Sequence, residues 1–307
     1  MTHPTSPLVI TATPTLFAAD GSLAETEIRR HLEWLRDKGV DALFPAGTSG
    51  EFPTLTDDER IRILDIALQV FPADSVYIHV GAAGTRQAVG LAQRAADHGA
   101  TKMAAITPFF QPAPEAQVLD YYAQLVEAAP GADIFAYLFE ARTTTPSRPS
   151  VLAKLASRGV AGVKISGETD ESVGEFLGAR PEGFTLFSGN DVSFASLIGA
   201  GGHGIVSGVS SAYPEPFVAL RDALVSGDAE EVSLRQADVV AAVAAVRGGS
   251  LTHLKAGIAA RGFGAGPVRS SVAPADEKDA AHIREFAAVI ANAPAGELAE
   301  ASALGAV

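Results

Sequence analysis

Eight short apolar runs, separated by longer amphipathic stretches, recur along this chain and restrict its fold more than any other feature. The runs are Leu8–Thr13, Ala42–Ala46, Val76–Val80, Lys102–Thr107, Ile134–Phe139, Gly162–Ile165, Thr185–Ser188 and Gly204–Ser207. They begin roughly 20 to 35 residues apart, the repeat of a strand, a helix and their two turns. Most are apolar at consecutive positions, as parallel strands buried on both faces must be. The stretches Glu25–Lys38, Asp57–Val70, Arg86–His98, Pro114–Ala129 and Ser150–Arg158 carry helical patterns. Thr56-Asp57-Asp58-Glu59 opens one of them with a capping threonine and early acids. Eight such units predict an α/β fold closed into a (β/α)8 TIM barrel. An open doubly wound sheet is the alternative, and it announces a nucleotide site by a Gly-rich turn after the first strand. Here Thr13-Pro14-Thr15-Leu16-Phe17 follows that strand, with no G-x-G-x-x-G.

From Asp228 onward the pattern is helical only, over Glu230–Val246, Leu251–Arg261 and Pro274–Ala291. Residues 1–227 are therefore expected to form the barrel and residues 228–307 a C-terminal helical appendage packed on it. No Pro-, Ser- or Gly-rich linker parts them, and the small, acidic end from Pro294 to Val307 is expected to fray.

Charge and composition exclude several functions. The formal net charge is −13, which argues against nucleic acid and anionic membranes as partners but leaves room for a small anionic substrate. The chain has no cysteine, so disulfides, thiolate catalysis and Cys-ligated metals are excluded. None of the seven histidines forms a His-x-x-x-His or His-Glu-x-x-His pair, so no metal site is expected. Met1 to Pro7 lacks the pattern of a signal peptide, and no apolar stretch is long enough to span a bilayer, which predicts a cytoplasmic protein.

In a barrel of this kind the reacting groups stand at the C-terminal ends of the strands. Lys164 is the anomaly there, because it lies inside the apolar run Val160-Ala161-Gly162-Val163-Lys164-Ile165. Burying an ammonium group is costly. Position alone leaves two readings open: a structural lysine paired with Glu140 or Asp191, or an amine whose pKa burial has lowered so that it attacks a carbonyl. Gly47-Thr48-Ser49-Gly50-Glu51 after the second strand tilts towards the latter. Its glycines permit a tight turn, its N–H groups can converge on an anion, and Thr48 and Ser49 add hydroxyl donors. Tyr137 on the fifth strand is a core phenol or, if it faces the lumen beside Lys164, a proton shuttle. Arg142, five residues on, is a surface arginine or a clamp for a carboxylate or hydroxyl of the substrate.

Together these residues resemble the dihydrodipicolinate synthase and N-acetylneuraminate lyase superfamily of Schiff-base, pyruvate-type aldolases and dehydratases. The likeness runs from about Leu8 to Val272. It is carried by Thr13-Pro14, Gly47-Thr48-Ser49-Gly50-Glu51, Thr107-Pro108, Tyr137, Gly162-Val163-Lys164, Ser188-Gly189-Asn190-Asp191 and Gly201-Gly202-His203-Gly204. The resemblance implies that Lys164 forms an imine with a 2-oxo acid, that Tyr137 relays protons, and that Thr48 and Ser49 bind the substrate carboxylate. It places Gly189 at the substrate too, and it implies a homotetramer built as a dimer of dimers, with no cofactor.

The departures bear on substrate. Where the synthase pattern has two tyrosines after the fourth strand, this chain has Phe109 and Phe110. Its fifth-strand loop, Leu138-Phe139-Glu140-Ala141-Arg142-Thr143-Thr144, keeps the arginine but not the Asn, Pro and Gly. Leu43-Phe44-Pro45-Ala46, Thr85-Arg86-Gln87-Ala88 and Ala265-Gly266-Pro267-Val268-Arg269 are similar to stretches of 5-dehydro-4-deoxyglucarate dehydratases. These differences favour a 2-keto-3-deoxy sugar-acid aldolase or dehydratase over the synthase, with Arg142 and Glu140 reading hydroxyls or a distal carboxylate and Phe109, Phe110 and Phe139 forming an apolar entrance. A barrel glycosidase using Glu51, Glu140 or Asp191 would leave Lys164 without a role. A barrel that has lost activity and only binds ligands is the non-enzymatic alternative. His203 is read as loop packing.

Overall fold

In a computed structural model, which describes residues 6–292, the eight apolar runs form eight parallel strands in one sheet. They are β1 (Leu8–Thr11), β2 (Ala42–Leu43), β3 (Tyr77–His79), β4 (Lys102–Ile106), β5 (Asp133–Leu138), β6 (Gly162–Ile165), β7 (Thr185–Ser188) and β8 (Gly204–Ser207). The sheet order β2-β1-β8-β7-β6-β5-β4-β3 brings β2 and β3 to its two edges. A parallel bridge from Leu43 to Val76 joins those edges and makes the sheet a closed (β/α)8 barrel.

Helices α1 (Glu25–Asp37), α2 (Asp57–Leu68), α3 (Thr85–Asp97), α4 (Glu115–Ala128), α5 (Glu140–Thr143), α6 (Val151–Ala156), α7 (Asp170–Gly178), α8 (Phe194–Gly199) and α9 (Pro214–Ser226) lie between and after the strands. The cap foreseen at Thr56 is present as a full capping box with Glu59. Helices α5, α7, α8 and α9 were not anticipated from periodicity. The first is a single turn, α8 is six residues long, α7 ends in glycine, and α9 opens Pro-Glu-Pro. Each blurs the apolar spacing a longer helix displays.

Strand alternation divides the apolar residues into two sets. Val9, Val163, Ile165, Leu186 and Ile205 point outward against the helices in the larger core cluster. Ile10, Phe44, Tyr77, Phe135, Tyr137 and Phe187 point into the lumen and fill it. Tyr77, Phe135 and Phe187 pack edge and face together, with ring centroids 5.0–5.9 Å apart.

Three further helices follow: α10 (Ala229–Ala245), α11 (Leu251–Ala260) and α12 (Glu277–Asn292). Helix α10 packs along α9 and α11 packs against α12. The turn between α10 and α11 leans over the C-terminal end of the barrel. The segment 294–307, expected to fray, lies outside the described residues. Among the described residues no helix is long and apolar enough to cross a membrane.

Candidate active site

Tyr137 and Lys164 are register partners on the adjacent strands β5 and β6, so both side chains enter the lumen side by side. Lys164 is 6% exposed. Its Nζ lies 4.2 Å from the ring centroid of Tyr137 and 4.6 Å from that of Phe44, distances at which an aromatic face attracts a cation. Among the described residues it makes no ion pair and no hydrogen bond. The pairing with Glu140 or Asp191 that its position left open is therefore not formed.

The loop after β2 is bent by left-handed backbone at Ala46 (φ 52°) and Glu51 (φ 58°). Both glycines are needed for packing. A Cβ on Gly47 would sit 2.8 Å from the Phe44 ring, and one on Gly50 would sit 3.0 Å from Ala46 Cα. Folded this way, the loop brings the Thr48 hydroxyl to 3.2 Å from the Tyr137 hydroxyl. Ser49 lies against Gly208 at the end of β8, where a Cβ would come within 2.9 Å of its Oγ. Glu51 takes no part in anion binding. It is fully buried, its Oε1 is 3.0 Å from Lys255 Nζ, and its Oε2 accepts the N–H groups of Arg269 and Ser270 at 2.8 and 2.7 Å.

Gly189, at the end of β7, donates its N–H to Ile165 O at 2.8 Å. A Cβ there would clash with Ser166 Oγ and come within 3.5 Å of Lys164 Cε, so the glycine keeps clear the space beside the lysine stem. Asp191 follows, and sequence reading offered it only as a partner for Lys164 or as a glycosidase acid. Its Oδ2 accepts from Ser207 Oγ at 3.0 Å, while its buried Oδ1 has no hydrogen-bond partner among the described residues. Burial pushes this carboxyl up to about 7, against the Ser207 hydrogen bond and the nearby Lys164, which pull it down. Its sequence signals were its position at a strand end and its place in Ser188-Gly189-Asn190-Asp191.

His79, which sequence reading passed over, is fully buried beneath Phe52, with ring centroids 4.5 Å apart. Its Nε2 accepts from Ile106 N–H at 3.1 Å, and Arg60 Nη2 lies 3.1 Å from its Nδ1. Burial, then Arg60 and Lys164, hold its pKa well below the ordinary range, so it is neutral. It fixes the ends of β3 and β4 under the site.

A cavity of about 200 Å³ surrounds Lys164, lined by Tyr137, Phe139, Ser166, Gly189 and Asp191. It shares Thr48, Ser49, Arg142, Gly248 and Gly249 with a wider cavity of about 630 Å³ at the barrel mouth, so the two are continuous. Arg142 lines both, with its guanidinium 5.9 Å from the Phe139 ring. Two expected wall residues lie elsewhere. Glu140, exposed at the start of α5, accepts the Ser147 N–H at 3.0 Å, and it lines neither cavity. Phe110 is 86% exposed in a left-handed turn (φ 76°), and of the pair it is Phe109 that walls the mouth, beside Phe52. His203 packs as expected, accepting the Leu186 N–H at 3.2 Å beside Arg180.

Comparison with known proteins points the same way. Residues 6–290 match the dihydrodipicolinate synthetase family. An uncharacterised DapA-like lyase of Halobacterium salinarum is 36% identical, over 91% of both chains. A 4-hydroxy-tetrahydrodipicolinate synthase of Salinibacter ruber is 32% identical, over 91% of this chain and 94% of that one. Among solved structures, YagE of E. coli K12, a prophage protein of the dihydrodipicolinic acid synthase family in complex with pyruvate, superposes with a TM-score of 0.85. It is 24% identical, over 93% of this chain and 98% of that one.

Proposed function

The chain belongs to the dihydrodipicolinate synthetase family, and from that premise we propose that it acts on a 2-keto-3-deoxy sugar acid, cleaving it or removing water from it. As a member of that family it is a lyase of the lysine Schiff-base type. The observation that supports the imine is Lys164, a buried amine without an ion pair among the described residues, set over the ring of Tyr137, whose hydroxyl is 3.2 Å from Thr48; the sugar-acid reading rests on Phe109 and Phe110, which lack the hydroxyls of the synthase pattern.

In this reading Lys164 Nζ attacks the C2 carbonyl, and loss of water gives an imine. The protonated imine draws electrons from C3. Either the C3 proton leaves and the C4 hydroxyl departs as water, or the C3–C4 bond breaks as the C4 hydroxyl gives up its proton. Tyr137, backed by Thr48, carries the proton, and hydrolysis of the imine returns the lysine. Thr48 and Ser49 hold the C1 carboxylate through hydroxyl and N–H groups. Gly189 leaves room for the substrate chain, and Arg142 meets its far end. Glu140, expected among the substrate contacts, has no part, because its carboxylate is turned to Ser147. Asp191, which lines the cavity and whose Oδ1 has no hydrogen-bond partner among the described residues, meets a substrate hydroxyl instead.

A second reading, condensation of pyruvate with aspartate semialdehyde, is favoured by the synthase names of relatives at 30–32% identity. Phe109 and Phe110 stand against it, because neither can supply a third hydroxyl to the Thr48–Tyr137 pair. Treatment with pyruvate and borohydride is expected to give a stable mass addition on Lys164, absent in Lys164→Ala. Failure to trap any 2-oxo acid would sink the imine. Rapid condensation with aspartate semialdehyde, and no turnover of 2-keto-3-deoxy acids, would replace the first reading with the second. The assembly that goes with either is a homotetramer, which light scattering of the pure chain measures directly.

A further inference from the structure

Resting on that imine reading, we propose that the substrate carries a second carboxylate at the end remote from its 2-oxo group, and that Arg247 selects for it. Arg247 lies in the turn between α10 and α11, more than a hundred residues from Arg142, yet the two line the same mouth cavity. That cavity continues to Lys164, so a chain held by the lysine at one end reaches the guanidinium groups with the other.

The backbone is arranged to present Arg247. It holds a left-handed conformation (φ 47°), rare for a residue with a side chain, and two glycines in the same region follow it (φ 68° and 82°). Its Nη2 donates to Asp279 Oδ1 at 2.8 Å, and Asp279 Oδ2 lies 2.8 Å from His253 Nε2. Asp279 thus anchors one edge of the guanidinium, and 62% of the side chain stays open to solvent.

Counting charge at the mouth identifies the ligand. Arg142 makes no ion pair among the described residues, and Arg247 shares Asp279. Glu51, the remaining carboxylate on this wall, is buried and held by Lys255 and two N–H groups. With Glu51 balanced by Lys255, the two guanidinium groups stand against one carboxylate, Asp279, which is already held by Arg247 and His253, and this leaves a single positive charge. That excess stands in a chain whose formal net charge is −13. One positive charge between two forked donors matches a terminal carboxylate better than a phosphate dianion or a neutral hydroxyl.

The test uses 2-oxo acids of one length with different far ends: 2-oxoadipate, 6-hydroxy-2-oxohexanoate and its 6-phosphate. The concentration giving half-maximal borohydride trapping on Lys164 is measured for each in the wild type and in Arg247→Gln. The wild type is expected to favour 2-oxoadipate over the hydroxyl-ended acid about tenfold, the effect of one charge-assisted contact open to solvent. Arg247→Gln should cut that preference to threefold or less, with the loss falling on the diacid, and Arg247→Lys should restore part of it. Equal half-saturation by the two acids in the wild type, a preference for the phosphate, or a preference unchanged in Arg247→Gln would each overturn the proposal. If nothing traps, the imine reading fails by itself. Calorimetry with adipate and 6-hydroxyhexanoate, which needs no imine, then decides on Arg247 by the same preference.

Discussion

Lys164 and Lys255 are both buried and both sit over an aromatic ring, 4.2 Å from Tyr137 in one case and 4.3 Å from Phe17 in the other. They differ in what meets the amine. Lys255 on α11 has Glu51 at 3.0 Å and donates to Pro267 O at 2.6 Å. Burial pulls its pKa down and Glu51 holds it up. Lys164 has rings and open cavity, and among the described residues no ion pair or hydrogen bond, although Asp191 lines the same cavity. Burial and aromatic contact therefore do not distinguish a structural lysine from a reactive one. The partner does, because a carboxylate stabilises the protonated amine, whose nitrogen has no lone pair left to attack with.

The contrast can be broken most sharply at Lys164. Lys164→Met should abolish trapping and lower turnover by on the order of 10⁴-fold or more. The fold should lose little, within about 1 kcal/mol by urea denaturation, since no ion pair is broken and volume is kept. A large loss of stability with trapping retained would reverse the two roles. At Lys255 the opposite is expected. Lys255→Met strands the buried Glu51 carboxylate and should cost about 3–5 kcal/mol. Adding Glu51→Gln should recover much of that cost. If Lys255→Met is no more destabilising than Lys164→Met, the pair is not what holds the segment.

Asp191 extends the comparison to a buried acid. Its folded pKa is raised to about 7 from an ordinary value of 3.8. The folded state therefore binds the extra proton, and wild-type stability falls as pH rises between about 4 and 7, then levels. Asp191→Asn should gain stability on the wild type over that interval, by on the order of a few kcal/mol at pH 8. Melting curves at pH 4 and pH 8 check this. A pH-independent difference would mean that the carboxyl is not desolvated.

The barrel was legible because both faces of its strands are covered. Gly162–Ile165, Thr185–Ser188 and Gly204–Ser207 begin and end where their apolar runs do. β2 is shorter than Ala42–Ala46, because the chain leaves the sheet before the left-handed residue Ala46. Within the site, Lys164, Tyr137, Thr48 and Ser49 were readable from strand ends and motifs. Glu51 was not, since the residues that claim its carboxylate lie more than 200 positions away. Glu140 and Phe110 shared a polar loop or a strand end with true wall residues, and only the local turn decided which way each faced. Gly248-Gly249 marked a turn between the helical stretches that end at Val246 and begin at Leu251, but nothing in the sequence said that this turn would bring Arg247 to the barrel mouth.

The bond from Arg269 N–H to Glu51 spans 218 residues, and this sets a timetable. At about 5–20 residues per second of synthesis, the loop after β2 waits on the order of 10–40 s for the groups that hold it. The barrel strands emerge first and Lys164 with them, but the loop and the mouth are completed last. A nascent chain thus has its filled barrel and Lys164 before it has the partners that hold Glu51. The loop after β2 is locked only as α11 and the segment behind it leave the ribosome.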